Sequence, residues 1–280
     1  MISKNEIKKF RGLLQKKQRE QTGLLLVEGV NAVEQLVKNS VFALDCLIVD
    51  QRLTSQSRIL AILDLAEQAG KRVETTLRSE VDKISEDAAG VLAVAKCLVE
   101  DSVVRAGGER KWWESEKGEL KTVVVCKQIS DPGNAGTIIR ASVALGVDHI
   151  IFTDNSVEHW NPKVVRSSVG AVFQTTVQSL SDLQKAVDYL HDLGFQIISA
   201  DGYGTSENPA LELGSDKVNK ILSETPKLAW VFGNEAHGLS DDEIDLTDFC
   251  TKIPLSKNFE SLNLAGAANI CLWERKKLSK

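Results

Sequence analysis

Residues 122–152 read TVVVCKQISDPGNAGTIIRASVALGVDHIIF, and their pattern decides the fold class. The β-branched run from Thr122 predicts a buried strand, and the turn Asp131-Pro132-Gly133-Asn134 ends it. Apolar residues then recur at helical spacing up to Gly146, after which His149 to Phe152 start a second strand. This order predicts a parallel α/β unit, with the turn at the carboxyl end of a strand, where open α/β sheets hold their ligands. Asn134 is expected to cap the helix, Gly133 to take an unusual backbone conformation before it, and Gly146 to terminate it. Gly136 and Arg140 lie four residues apart on one helical face, leaving space beside a guanidinium expected to be buried. Alone, the stretch equally suits an ordinary strand-turn-helix with an arginine on its rim.

Two later segments also follow apolar strands and carry polar residues with no evident structural task. One is Val231-Phe232-Gly233-Asn234-Glu235-Ala236-His237-Gly238-Leu239; the other is Ile253-Pro254-Leu255 followed by Ser261-Leu262-Asn263-Leu264. Together with Asn134, Gly136 and Arg140, this ordered set resembles the three motifs of the SpoU/TrmH family of RNA ribose 2'-O-methyltransferases. The family pattern is Asn-x-Gly-x-x-x-Arg, then Gly-x-Glu-x-x-Gly, then Ile-Pro with Ser-Leu-Asn a fixed distance on. Residues 161–171, NPKVVRSSVGA, resemble the family's linking segment. Lys257 and Ala265 depart from the pattern, which usually has glycine and often serine at those places.

The resemblance implies a carboxyl-terminal trefoil-knotted domain on a parallel sheet, preceded by a smaller amino-terminal α/β RNA-binding domain. It implies S-adenosylmethionine as cofactor, bent in the knot and held by backbone groups of Gly233, Ile253 and Leu262. It implies a homodimer to which the small-residue run Ala265-Gly266-Ala267-Ala268 and the helix bearing Arg140 contribute. Five residues carry the expected chemistry. Arg140 is assigned to RNA phosphate binding and stabilisation of the ribose alkoxide, since a guanidinium does not give up its proton readily enough to serve as a base. Asn134 is expected to brace Arg140 and the turn, while Glu235, Ser261 and Asn263 organise the site. For Glu235, proton acceptance and capping of neighbouring N–H groups stay open as alternatives.

The chain has 280 residues, 42% of them hydrophobic, which suits two domains. No apolar run approaches a membrane span, and MISKNEIKKFRGLLQKKQRE lacks the apolar centre of a signal peptide, so a cytoplasmic protein is expected. The five cysteines are scattered without CxxC pairs and read as reduced core residues. The four histidines are unclustered, so no metal is expected.

Net charge is −5, which disfavours global attraction to RNA, but residues 1–20 hold seven basic side chains against two acidic, a local excess of +5. That arm is expected to contact phosphate. The spacing of Ile7, Phe10, Leu13 and Leu14 equally fits an amphipathic helix packed on its own domain. Residues 1–100 are read as an RNA substrate-binding domain, 101–120 as a charged linker in which Trp112 and Trp113 could stack on bases or hold the linker down, and 121–280 as the methyltransferase domain. Capping boxes are expected at Ser181 and Ser240, and the last helix is expected to start near Ser261.

Other enzyme classes fit poorly. Gly133 and Gly136 lack the first glycine of a dinucleotide fingerprint, Gly202-Tyr203-Gly204 lacks the third, and no GxxxxGK[ST] occurs. The remaining alternative is an RNA-binding or ribosome-assembly protein that keeps the fold without turnover. The intact Asn134, Arg140, Glu235, Ser261 and Asn263 set favours an enzyme, and the extra amino-terminal domain leans the target towards ribosomal over transfer RNA by resemblance.

Overall fold

The computed structural model describes residues 2–97, 121–259 and 261–279. The expected linker, with Trp112 and Trp113, lies outside the described residues. The chain divides into two compact units, Met1–Glu109 with Glu158–Gln174, and Arg110–Val157 with Thr175–Lys280.

The first unit opens with helices α1 (Lys4–Gly12) and α2 (Lys16–Thr22), strand β1 (Leu24–Glu28) and helix α3 (Val30–Ser40). It continues through β2 (Leu44–Asp50), α4 (Ser57–Gln68), β3 (Arg72–Thr76), α5 (Arg78–Ile84) and β4 (Val91–Lys96). Its sheet order is β1-β4-β2-β3, with β4 antiparallel to both neighbours and β2 parallel to β3. Ser3 and Glu6 form a capping box that starts α1. Phe10 and Leu13 then join Leu26, Ile48, Val81 and Leu92 in the core. The amphipathic-helix reading of the amino terminus is therefore correct in part: the apolar face packs inward, and Lys4, Lys8, Lys9, Arg11, Lys16 and Lys17 remain exposed. Arg19 does not remain available. It is 2% exposed, pairs with Glu158 at 2.6 Å and donates to the Leu13 carbonyl, because a guanidinium can be buried when each side of its fork finds an acceptor.

The segment Glu158–Gln174 groups with this unit although it sits between two strands of the other in sequence. Glu158 holds one end through Arg19, and Arg166 reaches Glu28 at 2.7 Å and Asp87 at 2.8 Å. Gly170 has φ +80, and a Cβ there would lie 2.8 Å from the Ala32 Cα, so glycine permits this close approach to α3. In sequence the segment falls within 121–280, while its contacts group it with the first unit.

The second unit begins with β5 (Thr122–Lys127), α6 (Pro132–Leu145) and β6 (His149–Thr153). After Pro162–Ser167, counted as α7, come β7 (Thr176–Ser179), α8 (Leu183–Asp192), β8 (Gln196–Ala200), β9 (Leu211–Glu212) and α9 (Asp216–Glu224). The chain ends with β10 (Leu228–Phe232), α10 (Asp241–Asp245), β11 (Phe249–Lys252) and α11 (Leu264–Leu278). Among the described residues its seven strands all pair in parallel, in the order β7-β6-β5-β10-β8-β11-β9. This is the parallel α/β architecture expected of the carboxyl-terminal part. The central strands are buried at every position of Leu228–Phe232 and His149–Thr153, as when both faces of a parallel sheet are covered. On one face Val123, Val125, Ile151, Ile197, Ala229 and Val231 pack with Leu183, Ala186, Val187 and Leu190 of α8. Helix α11 packs on α6 and α9.

Several local expectations are corrected. Asp131, not Asn134, caps α6, accepting the Asn134 N–H at 2.8 Å with Pro132 in the first turn. Gly133 is helical, and its missing Cβ would lie 2.8 Å from Asp131 Oδ1, so glycine makes room for the cap. Gly146 does end the helix, with φ +81. Asp182, not Ser181, caps α8, whereas Ser240 forms the expected capping box with Glu243. Helix α11 starts at Leu264 with Asn263 as its cap.

Candidate active site

Strands β5 and β10 are neighbours, and their carboxyl ends carry the first and second motifs. Strand β8 separates β10 from β11, so the loop that follows β11 must extend across the end of β8 to reach the first motif. It does so. Asn263 Nδ2 donates to Asn134 Oδ1 at 3.0 Å, and Asn134 Nδ2 donates to Glu235 Oε1 at 3.3 Å. One amide thus links all three motif loops, using both its acceptor and its donor.

Glu235 receives more than that amide. Its carboxylate accepts the main-chain N–H of Asp131 at 3.0 Å and of Ser130 at 3.2 Å, and the Ser130 hydroxyl at 3.2 Å. Partial desolvation pushes its proton affinity up, but the N–H groups of Asp131, Glu235 and Ser130 together with Asn134 outweigh it, holding the carboxyl below its ordinary value. A carboxylate bound in this way stays ionised and is a weaker base. The geometry favours the capping role over proton acceptance.

The second loop closes on itself. Asn234 and Gly238 exchange two backbone hydrogen bonds, at 3.0 and 2.9 Å. The Asn234 side chain accepts from Ala236 N–H and donates to the Gln128 carbonyl at 2.8 Å, stitching this loop to the end of β5. Gly233 permits the closure, since a Cβ there would sit 2.4 Å from the Gly238 carbonyl carbon. On the other side, Ser156 accepts the Ile129 N–H at 3.0 Å, and Val157 N–H donates to the Ile129 carbonyl at 2.7 Å, fixing the residues just before the turn.

Of the residues singled out in the sequence, the structure joins Asn134, Glu235 and Asn263. Arg140 is exposed, not buried, and Asn134 does not brace it, because both polar atoms of that amide are already engaged. Gly136 is buried on the inner side of α6. Arg140 forms no hydrogen bond or ion pair among the described residues, so its five donors face outward. Ser261 is exposed, Ile253 is half-buried, and Leu262 is 40% exposed. Asp131, Ser130 and Asn234 escaped notice as site residues. The Asp-Pro pair was a legible helix-start signal for the first; the role of Asn234 depends on a carbonyl distant in sequence.

A model described as the SpoU rRNA methylase family matches residues 121–273, and one described as the MRM3-like substrate binding domain matches residues 4–93. The chain belongs to the SpoU rRNA methylase family. It is an RNA methyltransferase by that membership. Among its relatives, the SpoU chain is 28% identical to the 23S rRNA (guanosine(2553)-2'-O)-methyltransferase RlmP of Bacillus subtilis, over 97% of this chain and 96% of that protein. It is also 28% identical to an uncharacterised tRNA/rRNA methyltransferase of Synechocystis, over 97% of this chain and 90% of the relative. Among solved structures, the SpoU methyltransferase AviRb from Streptomyces viridochromogenes, crystallised with its cofactor AdoMet, superposes with a TM-score of 0.76 over 98% of both chains at 21% identity. A TrmH-family structure from Porphyromonas gingivalis gives 0.72 over 99% of both at 24% identity. At those identities the likeness establishes a shared fold.

Proposed function

We propose that this SpoU protein uses S-adenosylmethionine to methylate a ribose 2'-hydroxyl in ribosomal RNA, in the cytoplasm. The observation that carries the reading is the Asn134 amide, which links the loops after β5, β10 and β11 at one edge of the sheet. The full-length similarity to a protein named as a 23S rRNA 2'-O-methyltransferase supports ribosomal over transfer RNA.

The residues present suit the cofactor. The loop after β11 offers a non-helical backbone together with the exposed apolar side chains of Leu255 and Leu262, a combination suited to an adenosyl group, whose edge needs donors and acceptors and whose face needs apolar cover. Main-chain groups of Gly233, Ile253 and Leu262 would hold it; when bound, it supplies a methyl group made electrophilic by a sulfonium. The chain's own part is alignment and charge. Arg140 meets the RNA phosphate or the ribose oxygen and stabilises the developing alkoxide, an effect that positioned donors exert strongly where water is excluded. Asn134, Glu235 and Asn263 keep the three loops in register, and Ser261 supplies a hydroxyl beside them. The first unit, with six exposed basic side chains on α1 and α2, binds the RNA. A trefoil knot, with the carboxyl-terminal segment threaded through a loop, and a homodimer through α6 and α11 belong to the same reading.

The test is calorimetry with S-adenosylmethionine in the presence of a chelator, followed by mapping of 2'-O-methyl positions in ribosomal RNA from cells with and without the gene. Binding without metal and one missing ribose methyl are expected. No binding at millimolar cofactor, with or without RNA, would remove the reading's central support. Light scattering is expected to give about twice the 30.7 kDa chain mass.

A further inference from the structure

Strand β8 ends between β10 and β11, beneath the loop that carries Asn263 towards Asn134, and its own following loop lies on the same edge. That loop, residues 201–210, is held more firmly than a simple connection requires. Asp201 Oδ1 accepts the N–H groups of Tyr203 at 2.8 Å and Gly204 at 3.1 Å. Gly204 has φ +69, and a Cβ on it would lie 2.4 Å from the Ala210 nitrogen. The Asn208 amide donates to the carbonyls of Thr247 at 2.8 Å and Ile244 at 3.1 Å, and Thr205 Oγ1 donates to Asp245. The loop also abuts the second motif, since a Cβ on Gly238 would be 3.4 Å from Asp201 Oδ2.

All this bracing presents one aromatic ring. Tyr203 is 78% exposed, more than any other large apolar side chain among the described residues. Its chain neighbours are both glycines, and a Cβ on Gly202 would meet nothing within 4 Å, so adjacent side chains do not crowd the ring. A rigid aromatic with a free face loses little entropy when a flat partner settles on it. Unpaired bases are such partners, and proteins take hold of single-stranded RNA by stacking them on aromatic side chains.

We infer that Tyr203 is a stacking platform for an unpaired RNA base next to the nucleotide whose ribose is methylated. This rests on the methyltransferase reading above. A base of the RNA, and not the adenine of the cofactor, is the occupant because the ring stands out from the edge while the proposed cofactor contacts are main-chain groups within the loops. Tyr203 thereby contributes to the choice of RNA and leaves the chemical step to Arg140 and its neighbours.

The experiment is steady-state methyl transfer to ribosomal RNA purified from cells lacking the gene, with wild type, Tyr203→Phe, Tyr203→Leu and Tyr203→Ala, and cofactor calorimetry on the same preparations. Tyr203→Ala and Tyr203→Leu are expected to raise KM for RNA about tenfold with kcat within twofold, the range for loss of one stacked base. Tyr203→Phe is expected to behave as wild type while Tyr203→Leu does not, a difference that a role in apolar packing alone would not produce, since leucine would then serve as well as phenylalanine. Unchanged KM in Tyr203→Ala overturns the inference, as does a fall in cofactor affinity, which would give the ring to the adenine. A wild type that transfers no methyl group sinks the methyltransferase reading itself, a result distinct from either.

Discussion

At the residue scale, the site separates a side chain that is free to act from side chains that hold the loops. Arg140 has its donors turned outward, whereas the Asn134 amide and the Glu235 carboxylate, the latter purely as an acceptor, spend their polar atoms within the protein. Arg140→Ala is expected to reduce single-turnover methyl transfer about 10²-fold or more, as loss of a positioned donor does, while cofactor affinity by calorimetry stays within a few fold. Arg140→Lys restores only part, because an ammonium lacks the planar fork. Near-normal turnover in Arg140→Ala would reduce this arginine to a surface residue. Glu235 gives a second expectation, with a definite sign. Its carboxyl is held below the ordinary range, so the interactions it makes are fully present above that range and are lost only as pH falls through the lowered value. A pH–rate limb near neutrality therefore belongs to another group. Glu235→Gln is expected to weaken cofactor binding yet keep that limb where it is; disappearance of the limb would identify Glu235 as the proton acceptor after all.

At the element scale, two glycines with different surroundings test why the second loop has its shape. Gly233 meets the Gly238 carbonyl so closely that any side chain forces the backbone apart, whereas Gly194, with φ +77 at the end of α8, has nothing within 4 Å of an added Cβ. Gly194→Ala is expected to cost about 1 kcal/mol, from its left-handed backbone alone. Gly233→Ala is expected to cost more, about 2–4 kcal/mol in urea titration, and to weaken S-adenosylmethionine binding. Equal losses in the two variants would show that the Gly233 loop yields easily. Helix starts teach a related lesson. Asp131, Asp182 and Asn263 cap α6, α8 and α11, each within three residues of the position read from the sequence. The helices were legible because their periodicity spans many residues, while a cap is decided by one side chain reaching one N–H.

At the scale of the whole molecule, each unit buries a histidine. His149 in β6 and His159 in the first unit are both desolvated, which lowers their pKa values to about 3 and about 4. Both folded values lie below the 6.5 of an ordinary histidine, so the unfolded chain binds more protons between them, and stability falls as pH drops below about 6.5. From pH 6.5 to 5 each histidine is expected to remove about 1.6 kcal/mol; urea titrations at the two pH values, with His149→Gln as a comparison, measure this. A flat stability over that interval would mean that the histidines are hydrated. The sequence by itself determined the parallel strand-helix alternation and the identity of the three motifs, because each depends on residue type and spacing along a local stretch. Only the tertiary structure decided that Glu158–Gln174 packs with the first unit, that Arg19 is spent on Glu158, that Arg140 faces outward, and that Asn134 joins Glu235 to Asn263 across more than a hundred residues. The physical reason is the same in each case: a polar side chain's role is fixed by whichever donor or acceptor the fold brings within about 3 Å of it, and nothing in local spacing specifies that partner.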